Sequence, residues 1–493
     1  MLNNGLMFRL YWVVSVVFSS VWGKGVVLII GGDAGLQIGA YNNTDARTPN
    51  LDSLANNGVI FTKAYTSSVS GGSPSRASLL TGLPAHQNGM FGSHGSPSSF
   101  RSYDDVISVS AHLSAEGVKT GIIGISGVGP SNVYKFDVSE TEANNDEVLI
   151  GRNITRINEL VQSFLAQYRT ENFFLVISLA DVQRCSNLSY GQFCEKWGDG
   201  KSGFGSIPDW RPQTFNSTNR KLPYFIPGLD DAEQDLADMY RGLDRLDQGV
   251  GLYVNSLVSA GLLARTLVIY TSTGGVAFPG AKYNAFESGA AIPLIVSSGG
   301  YSFGKVSDAL VTSLDIFPTV LDYFGLPLPQ YSIAGQPVTF TGRSLVPILV
   351  NPTTAGHSDV FATQEFVQVH EDLTLRSVRN NSFKLVWNKW DSFPIVSEIY
   401  SSPTFTRLVN KTKDGDNTHW WISLDSYLTR KEYELYDFSY DPYEVLNVAH
   451  EARYADVLSE LKNKLEAWQR LTFDPWICPR GFVNIEGNCT AYM

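Results

Sequence analysis

The sequence predicts an α/β protein with a large, mostly parallel β-sheet flanked by helices and a smaller C-terminal α+β domain with an antiparallel sheet. Short apolar runs bounded by turn residues are typical of strands that are buried on both faces. Amphipathic helical patterns lie between these runs, and such alternation favours a parallel sheet. Beyond about residue 375 the segments become short, aromatic and strand-like, which predicts the second domain.

The elements follow in order along the chain. Five runs are predicted as buried strands: Val26–Ile30, Thr120–Gly124, Phe173–Leu179, Thr266–Thr271 and Ile292–Ser297. Three segments are predicted as helices: Leu51–Asn57 after Thr48-Pro49, a stretch from about Ile154 to Leu165, and Leu236–Val250. The C-terminal part is predicted to hold strands at Phe383–Trp387 and Glu432–Tyr436 and a final helix over about Tyr454–Gln469. The predicted domains are residues 24–375 and 376–493.

Composition excludes two broad classes of protein. With 43% apolar and 12% aromatic residues, 493 residues can form a sizeable core, so a disordered chain is excluded. The net charge of −11 argues against a nucleic-acid binder, which needs a basic surface. A local basic pocket for an acidic sugar remains compatible with this net charge.

The N-terminus resembles a secretory signal. Arg9 precedes the apolar stretch Leu10–Phe18, and small residues suitable for cleavage follow before Lys24, so residues 1–23 are predicted as a signal peptide. An uncleaved anchor is the alternative, although this stretch is shorter than the roughly 20 residues that span a bilayer. We therefore expect a protein of the secretory pathway, lysosomal or extracellular, without a membrane span.

Cysteines and sequons agree with that compartment. Cys185 and Cys194 are nine residues apart and Cys478 and Cys489 are eleven apart, which favours two local disulfides among three connectivities. A zinc site is the rival interpretation, but no histidine is near either pair. Sequons for N-glycosylation occur at Asn42, Asn153, Asn187, Asn216, Asn380, Asn410 and Asn488.

Three segments resemble motifs of the sulfatase family. They are TPNLDSLANNGVIFTKAY at Thr48–Tyr65, SPSRASLLTGLPAHQNGM at Ser73–Met90, and YELYDFSYDPYEVLNVA at Tyr433–Ala449. Five further segments are similar to the members that act on the N-sulfated glucosamine of heparan sulfate: Gly39–Asn43, Gly151–Ile157, Phe193–Gly205, Ile207–Gln213 and Asp474–Cys478. The resemblance covers essentially the whole chain after residue 23. It implies an alkaline-phosphatase-like fold, a calcium ion, a homodimer, and a cysteine oxidised to formylglycine as nucleophile.

The family's nucleophile is missing at the matching position. The family pattern Cys-x-Pro-x-Arg is Gly72-Ser73-Pro74-Ser75-Arg76 in this chain. Glycine has no side chain to oxidise, and Ser73 is one residue out of place at a helix start. Loss of a covalent nucleophile costs on the order of a million-fold in rate in hydrolases that depend on one.

Most positions that would hold calcium are also substituted. The resemblance places the paired aspartates at Gly32-Asp33 and a later Asp-Asn pair at Thr273-Gly274, so Asp33 is the one side-chain ligand kept. Calcium needs six to eight oxygen ligands. We expect no calcium at this site, and no formylglycine or other cofactor. The alternative for Asp33 is a turn or N-cap residue.

The cations that would hold the sulfate group are depleted in the same way. A lysine and a histidine of the family are replaced at Ile125 and Gly127, and a histidine at Gln183. Arg76 and Lys282 remain as cationic remnants, although Arg76 could instead pair with a carboxylate and Lys282 could be solvated. Among the histidines, His86 and His94 are the ones near enough in sequence to line the pocket.

The residues therefore indicate a catalytically inactive sulfatase homologue that binds a sulfated glycan or a protein partner, without nucleic acid. The alternative is an active sulfuric ester or sulfamate hydrolase of heparan sulfate catabolism. A purely structural or dimerising role is the third hypothesis.

Overall fold

The computed structural model describes residues 23–95, 99–145, 150–184, 190, 198–202, 205–215, 221–299, 304–366, 372–389, 397–478, 482–485 and 488–491. The predicted signal peptide, apart from its last residue, lies outside the described residues. Among the described helices, none is both long and apolar enough to cross a membrane.

An eight-stranded sheet forms the centre of the molecule, in the order β4-β3-β5-β1-β6-β7-β2-β8. Its strands are β1 Gly25–Gly31, β2 Gly58–Tyr65, β3 Lys119–Gly124, β4 Val138–Thr141, β5 Phe173–Ser178, β6 Thr266–Ser272, β7 Leu294–Ser297 and β8 Lys305–Thr312. Every neighbouring pair is parallel except the two pairs of β7, which runs against β6 and β2. The predicted, mostly parallel sheet is confirmed, and all five predicted strands belong to it.

Helices cover both faces of this sheet. Its α-helices are α1 Pro49–Asn56, α2 Gly72–Thr81, α3 Ala85–Asn88, α4 Val109–Ala115, α5 Ile154–Gln167, α6 Asp230–Ser259, α7 Glu287–Ala290, α8 Ile316–Phe324 and α9 Val346–Val350. Val27 and Ile29 of β1 belong to one buried cluster with α5 and α6, whereas Val26 and Leu28 belong to another with α2 and α8. Successive side chains of a strand point to opposite faces, so β1 is buried from both sides. A two-stranded ribbon, β9 Ser332–Ile333 and β10 Gln336–Pro337, follows α8.

A second, antiparallel sheet has the order β11-β12-β13-β14. Its strands are β11 Val360–Phe366, β12 Asp372–Arg379, β13 Phe383–Asn388 and β14 Tyr433–Asp437. The remaining elements are α10 Ser397–Tyr400, α11 Pro403–Lys413, α12 Leu424–Leu428, α13 Ala455–Leu471, β15 Phe482–Ile485 and β16 Asn488–Ala491. Leu461, Leu465 and Trp468 of α13 pack against β12 and β13, as an amphipathic final helix requires.

Strand direction determines where loop residues meet. β3, β5, β1 and β6 are adjacent and parallel, so their carboxyl ends lie along one edge of the sheet. Loops at that edge of a parallel sheet usually carry the binding groups of an α/β protein. The substituted positions predicted from sequence come directly after these four strands.

Candidate functional site

The structure brings the predicted site residues together at this edge. Gly32 and Asp33 follow β1, Ile125 and Gly127 follow β3, Gln183 follows β5, and Thr273 and Gly274 follow β6. Helix α2 begins at the same place, so Gly72 and Arg76 join them.

Gly72 is the first residue of α2 and has a positive φ of 48°. A Cβ atom added there would meet no heavy atom within 4 Å. The position at which the family carries its nucleophile therefore lies beside open space and presents backbone alone.

Neighbouring hydroxyl and imidazole groups are engaged elsewhere. Ser73 Oγ accepts a hydrogen bond of 2.9 Å from the backbone N–H of His94, which fixes the position of the hydroxyl group. His94 is exposed, and its Nδ1 lies 2.7 Å from the Phe100 carbonyl oxygen. His86 is buried with Nε2 2.8 Å from Thr472 Oγ1, at the contact between α3 and the end of α13. The prediction that His86 could line the pocket is wrong, because its imidazole faces the C-terminal helix.

Asp33 is fully buried and is paired with an internal cation. Lys282 Nζ lies 2.7 Å from Asp33 Oδ2, and the lysine side chain is only 5% exposed. Thr273 donates its hydroxyl hydrogen bond to the other carboxylate oxygen over 3.2 Å. The alternative of a solvated Lys282 is thus wrong. Asp33 lies in the bend after β1, as the turn alternative expects, and caps no helix there.

The donor set at this edge does not fit a calcium ion. A Cβ added at Gly32 would lie 2.9 Å from Gln183 Cγ and 3.0 Å from the Ala180 carbonyl oxygen, so a ligand side chain has no room there. The Lys282 ammonium already neutralises Asp33 and would repel a second cation. In the described part of the chain, no group of three His, Cys, Asp or Glu side chains is placed to hold a metal.

Arg76 lies below Gly72 in the first turns of α2 and is 3% exposed. Its Nε donates to Ser178 Oγ over 3.1 Å, and Nη2 has no hydrogen-bond partner among the described residues. Burial lowers the pKa of this guanidinium, while the charges of Asp33 and Glu142 oppose that shift. The alternative of a direct carboxylate partner is not what the structure shows, because the bonded group is a serine hydroxyl.

At the positions of the missing lysine and histidine, a carboxylate caps the backbone N–H groups of the loop. The Glu142 carboxylate accepts hydrogen bonds from the backbone N–H groups of Ser126 at 2.8 Å and Gly127 at 3.2 Å. Ile125 packs its side chain toward Gly151 and so adds no polar group. This part of the edge has become a capped loop.

Asp181 anchors the loop after β5. Arg245 of α6 donates to both carboxylate oxygens over 2.6 and 2.8 Å, and Arg152 Nε donates over 3.1 Å. The backbone N–H of Gly32 also donates to the Asp181 carbonyl oxygen over 2.7 Å. Sequence reasoning missed this cluster. Arg245 sits within a helical run of buried leucines, and that pattern predicts burial without revealing a partner 64 residues away.

The covalent and modification sites are partly described. Cys478 and Cys489 form a disulfide, as predicted. Cys185 and Cys194 lie outside the described residues, and so do Asn187 and Asn216. Asn42 and Asn410 are exposed, Asn153 and Asn380 are half-buried, and Asn488 lies in β16. Glycosylation at these positions stays a prediction.

Comparison with known proteins gives consistent matches. A sequence model of the family described as Sulfatase matches residues 24–326. The chain is 46% identical to N-sulphoglucosamine sulphohydrolase of Homo sapiens, covering 92% of this chain and 91% of that protein. It is 27% identical to arylsulfatase A of Homo sapiens, covering 68% and 69% of the two chains. A solved structure described as a complex with its substrate D-glucosamine-2-N,6-O-disulfate superposes with a TM-score of 0.65 at 20% identity, covering 92% and 98%. At that identity the superposition establishes the fold alone, which is the alkaline-phosphatase-like fold of sulfatases.

Proposed function

We propose, from the premise that this chain belongs to the sulfatase family, that it lacks sulfohydrolase activity and instead binds a sulfated glycan or a protein partner. The observation that carries the proposal is Gly72. Hydrolysis in this family depends on a side-chain nucleophile at that position, and glycine offers none to oxidise or deprotonate. The hydroxyl of the adjacent residue, Ser73 Oγ, accepts a hydrogen bond from the backbone N–H of His94.

The substitutions around Gly72 support the same conclusion. Cleaving a sulfate group requires positive charge that stabilises the developing negative charge of the transition state. In this chain Lys282 is neutralised by Asp33, and the loop that would carry a lysine and a histidine is capped by Glu142. Among the described residues of this edge, Arg76 keeps a buried cationic group with an N–H that has no hydrogen-bond partner.

Binding without turnover is supported by the intact scaffold. The central sheet, its helices and the antiparallel sheet are all present around the substituted edge. We propose that the protein acts in the secretory pathway, in lysosomes or outside the cell, as a homodimer. The proposed units are residues 24–375, carrying the substituted edge, and 376–493. The 46% identity to N-sulphoglucosamine sulphohydrolase supports a heparan-type glycan as the first ligand to test.

The decisive experiment measures sulfate release from an N-sulfated glucosamine substrate at acidic pH by the purified protein. Human N-sulphoglucosamine sulphohydrolase runs alongside as the active control. We expect no release above buffer. Release that co-purifies with the chain and disappears in Arg76→Ala would instead favour an active heparan sulfohydrolase.

A second measurement tests the binding half of the proposal. The protein is applied to a heparin column at acidic pH and eluted with salt. Retention that falls with ionic strength supports glycan binding, because sulfate contacts are screened by salt. Absence of retention at low ionic strength would exclude glycan binding and leave binding of a protein partner. Analytical ultracentrifugation separately tests whether the chain forms a homodimer.

A further inference from the structure

A cleft of about 480 Å³ lies where α13 meets the loop before β11 and the loop around Phe340. Its volume falls within the range typical of small-ligand sites. None of the substituted residues of the candidate site lines it. It is therefore a separate feature of the molecule, here called the seam cleft.

The wall of the seam cleft is aromatic. Phe361 and Trp468 both line it and stack on each other with ring centroids 4.8 Å apart and an angle of 3° between the planes. Phe361 is only partly buried whereas Trp468 is 4% exposed, so Phe361 is the ring of this pair that the cleft exposes. Flat apolar faces of this kind pack against the C–H face of a sugar ring.

Trp468 is the buried support of this wall. The residue is 4% exposed, and its Nε1–H is buried without an acceptor among the described residues. Because that atom is covered, the indole contributes packing behind Phe361 and no polar group to the cleft.

The charged groups of the cleft leave one cation available. Among the described residues, no carboxylate pairs with the exposed Arg343 guanidinium, although its backbone N–H donates to Asp315. Lys464 is shared between Asp359 at 3.0 Å and Glu460 at 2.8 Å, and His357 Nε2 lies 2.8 Å from Asp315 Oδ1. Each of these carboxylates therefore has a basic side chain within ion-pair distance, His357 being charged only when protonated, and Arg343 is left to attract an anion.

We propose that the seam cleft binds an acidic saccharide, with the sugar ring against Phe361 and its sulfate or carboxylate on Arg343. A guanidinium suits both oxyanions because it can donate two parallel hydrogen bonds. The proposal rests on the glycan-binding half of the proposed function and assigns that binding to a site other than the edge around Gly72.

The test is titration of purified protein with a sulfated heparin-type oligosaccharide and with a carboxylated, unsulfated one, followed by calorimetry. Arg343→Ser should weaken binding by about 10- to 100-fold, the range for a lost hydrogen bond to a charged group. Phe361→Leu removes the aromatic face and keeps an apolar side chain, so a smaller loss is expected. Arg470→Ser is the matched control, because Arg470 lies on the same helix, is exposed and does not line the cleft.

The outcomes separate the two proposals. Binding that is lost in Arg343→Ser but kept in Arg470→Ser and Arg76→Met supports the seam cleft. Binding that is lost in Arg76→Met and kept in Arg343→Ser overturns the cleft while leaving glycan binding in place. Binding of neither oligosaccharide overturns the seam cleft and the glycan-binding half of the proposed function. The relative response to the two oligosaccharides identifies which anion the cleft takes, and an unchanged melting temperature shows that each variant is folded.

Discussion

The buried pair of Asp33 and Lys282 makes a quantitative prediction about stability. Replacing Lys282 with methionine removes the ammonium that lies 2.7 Å from Asp33 Oδ2, while the carboxylate stays fully buried. Breaking such a pair by removing one partner typically costs about 3–5 kcal/mol, because a charge is left uncompensated in a medium of low dielectric constant. The Thr273 hydroxyl still donates to Asp33 and recovers only part of that cost.

Urea unfolding followed by tryptophan fluorescence measures the effect. We expect Lys282→Met to lower the free energy of unfolding by about 3–5 kcal/mol, and the double variant with Asp33→Asn to recover most of it. Lys411→Met is the control, since its ion pair with Asp416 is solvent-exposed and worth less than about 1 kcal/mol.

Metal dependence is measured on the same samples. Because the Lys282 ammonium already balances the charge of Asp33, EDTA and added calcium should leave the unfolding curve of the natural chain unchanged. A loss below about 1 kcal/mol in Lys282→Met would refute the argument from the buried pair. Destabilisation by EDTA that calcium reverses would refute the argument that the edge excludes the metal.

Three further predictions follow from neighbouring residues. Gly72→Cys restores the modification motif at a position where a Cβ atom would meet no heavy atom within 4 Å. We expect no sulfate release by this variant, even when mass spectrometry shows that the cysteine has been converted to the aldehyde. Release at the rate of the human relative would contradict this expectation. Gly32→Asp should destabilise the protein by about 1–3 kcal/mol in urea unfolding, because its Cβ would clash with Gln183. Gly274→Asn should cost less, because the atoms nearest to a Cβ there are 3.8 Å away. Equal losses in the two variants would contradict the packing argument. Burial lowers the pKa of His86 to about 4. In the unfolded chain this histidine is protonated below about pH 6.5, whereas in the folded chain it stays neutral until about pH 4. Lowering the pH from 7 to 5 should therefore reduce the free energy of unfolding by about 2 kcal/mol. His86→Phe should remove that part of the pH dependence of urea unfolding, and an unchanged slope would contradict it.

The sequence predicted the strands that are apolar throughout and their mostly parallel arrangement, but not that β7 runs antiparallel. β1, β3, β5 and β6 are buried on both faces, and such runs are recognisable without partners. β7 has the same texture but runs antiparallel to its neighbours, because burial on both faces looks alike in either direction. β2 was noted as part of a motif and not as a strand, since exposed polar residues such as Thr62 interrupt its apolar pattern.

Site residues were predictable by position but not by contact. Matching motifs identified Gly72, Asp33 and Thr273 as substituted or retained, and the structure places them together. No local signal indicates that Lys282 reaches Asp33 across 249 residues, or that Glu142 caps the loop at Gly127. Such contacts depend on the order of strands in the sheet, which a single sequence leaves open.

The substitutions at the edge support one another physically, and this bears on how reversible they are. If only the nucleophile had changed, one substitution at Gly72 would rebuild the family's chemistry. Here the space beside Gly32 is filled by Gln183, and the charge of Asp33 is satisfied by Lys282. Restoring a ligand at Gly32 would therefore clash with a packed side chain, and a metal would have to displace a buried ammonium. The edge is stable as a packed, internally neutralised unit, so a retained function is better sought at surfaces such as the seam cleft, where the exposed Arg343 guanidinium can still meet a ligand.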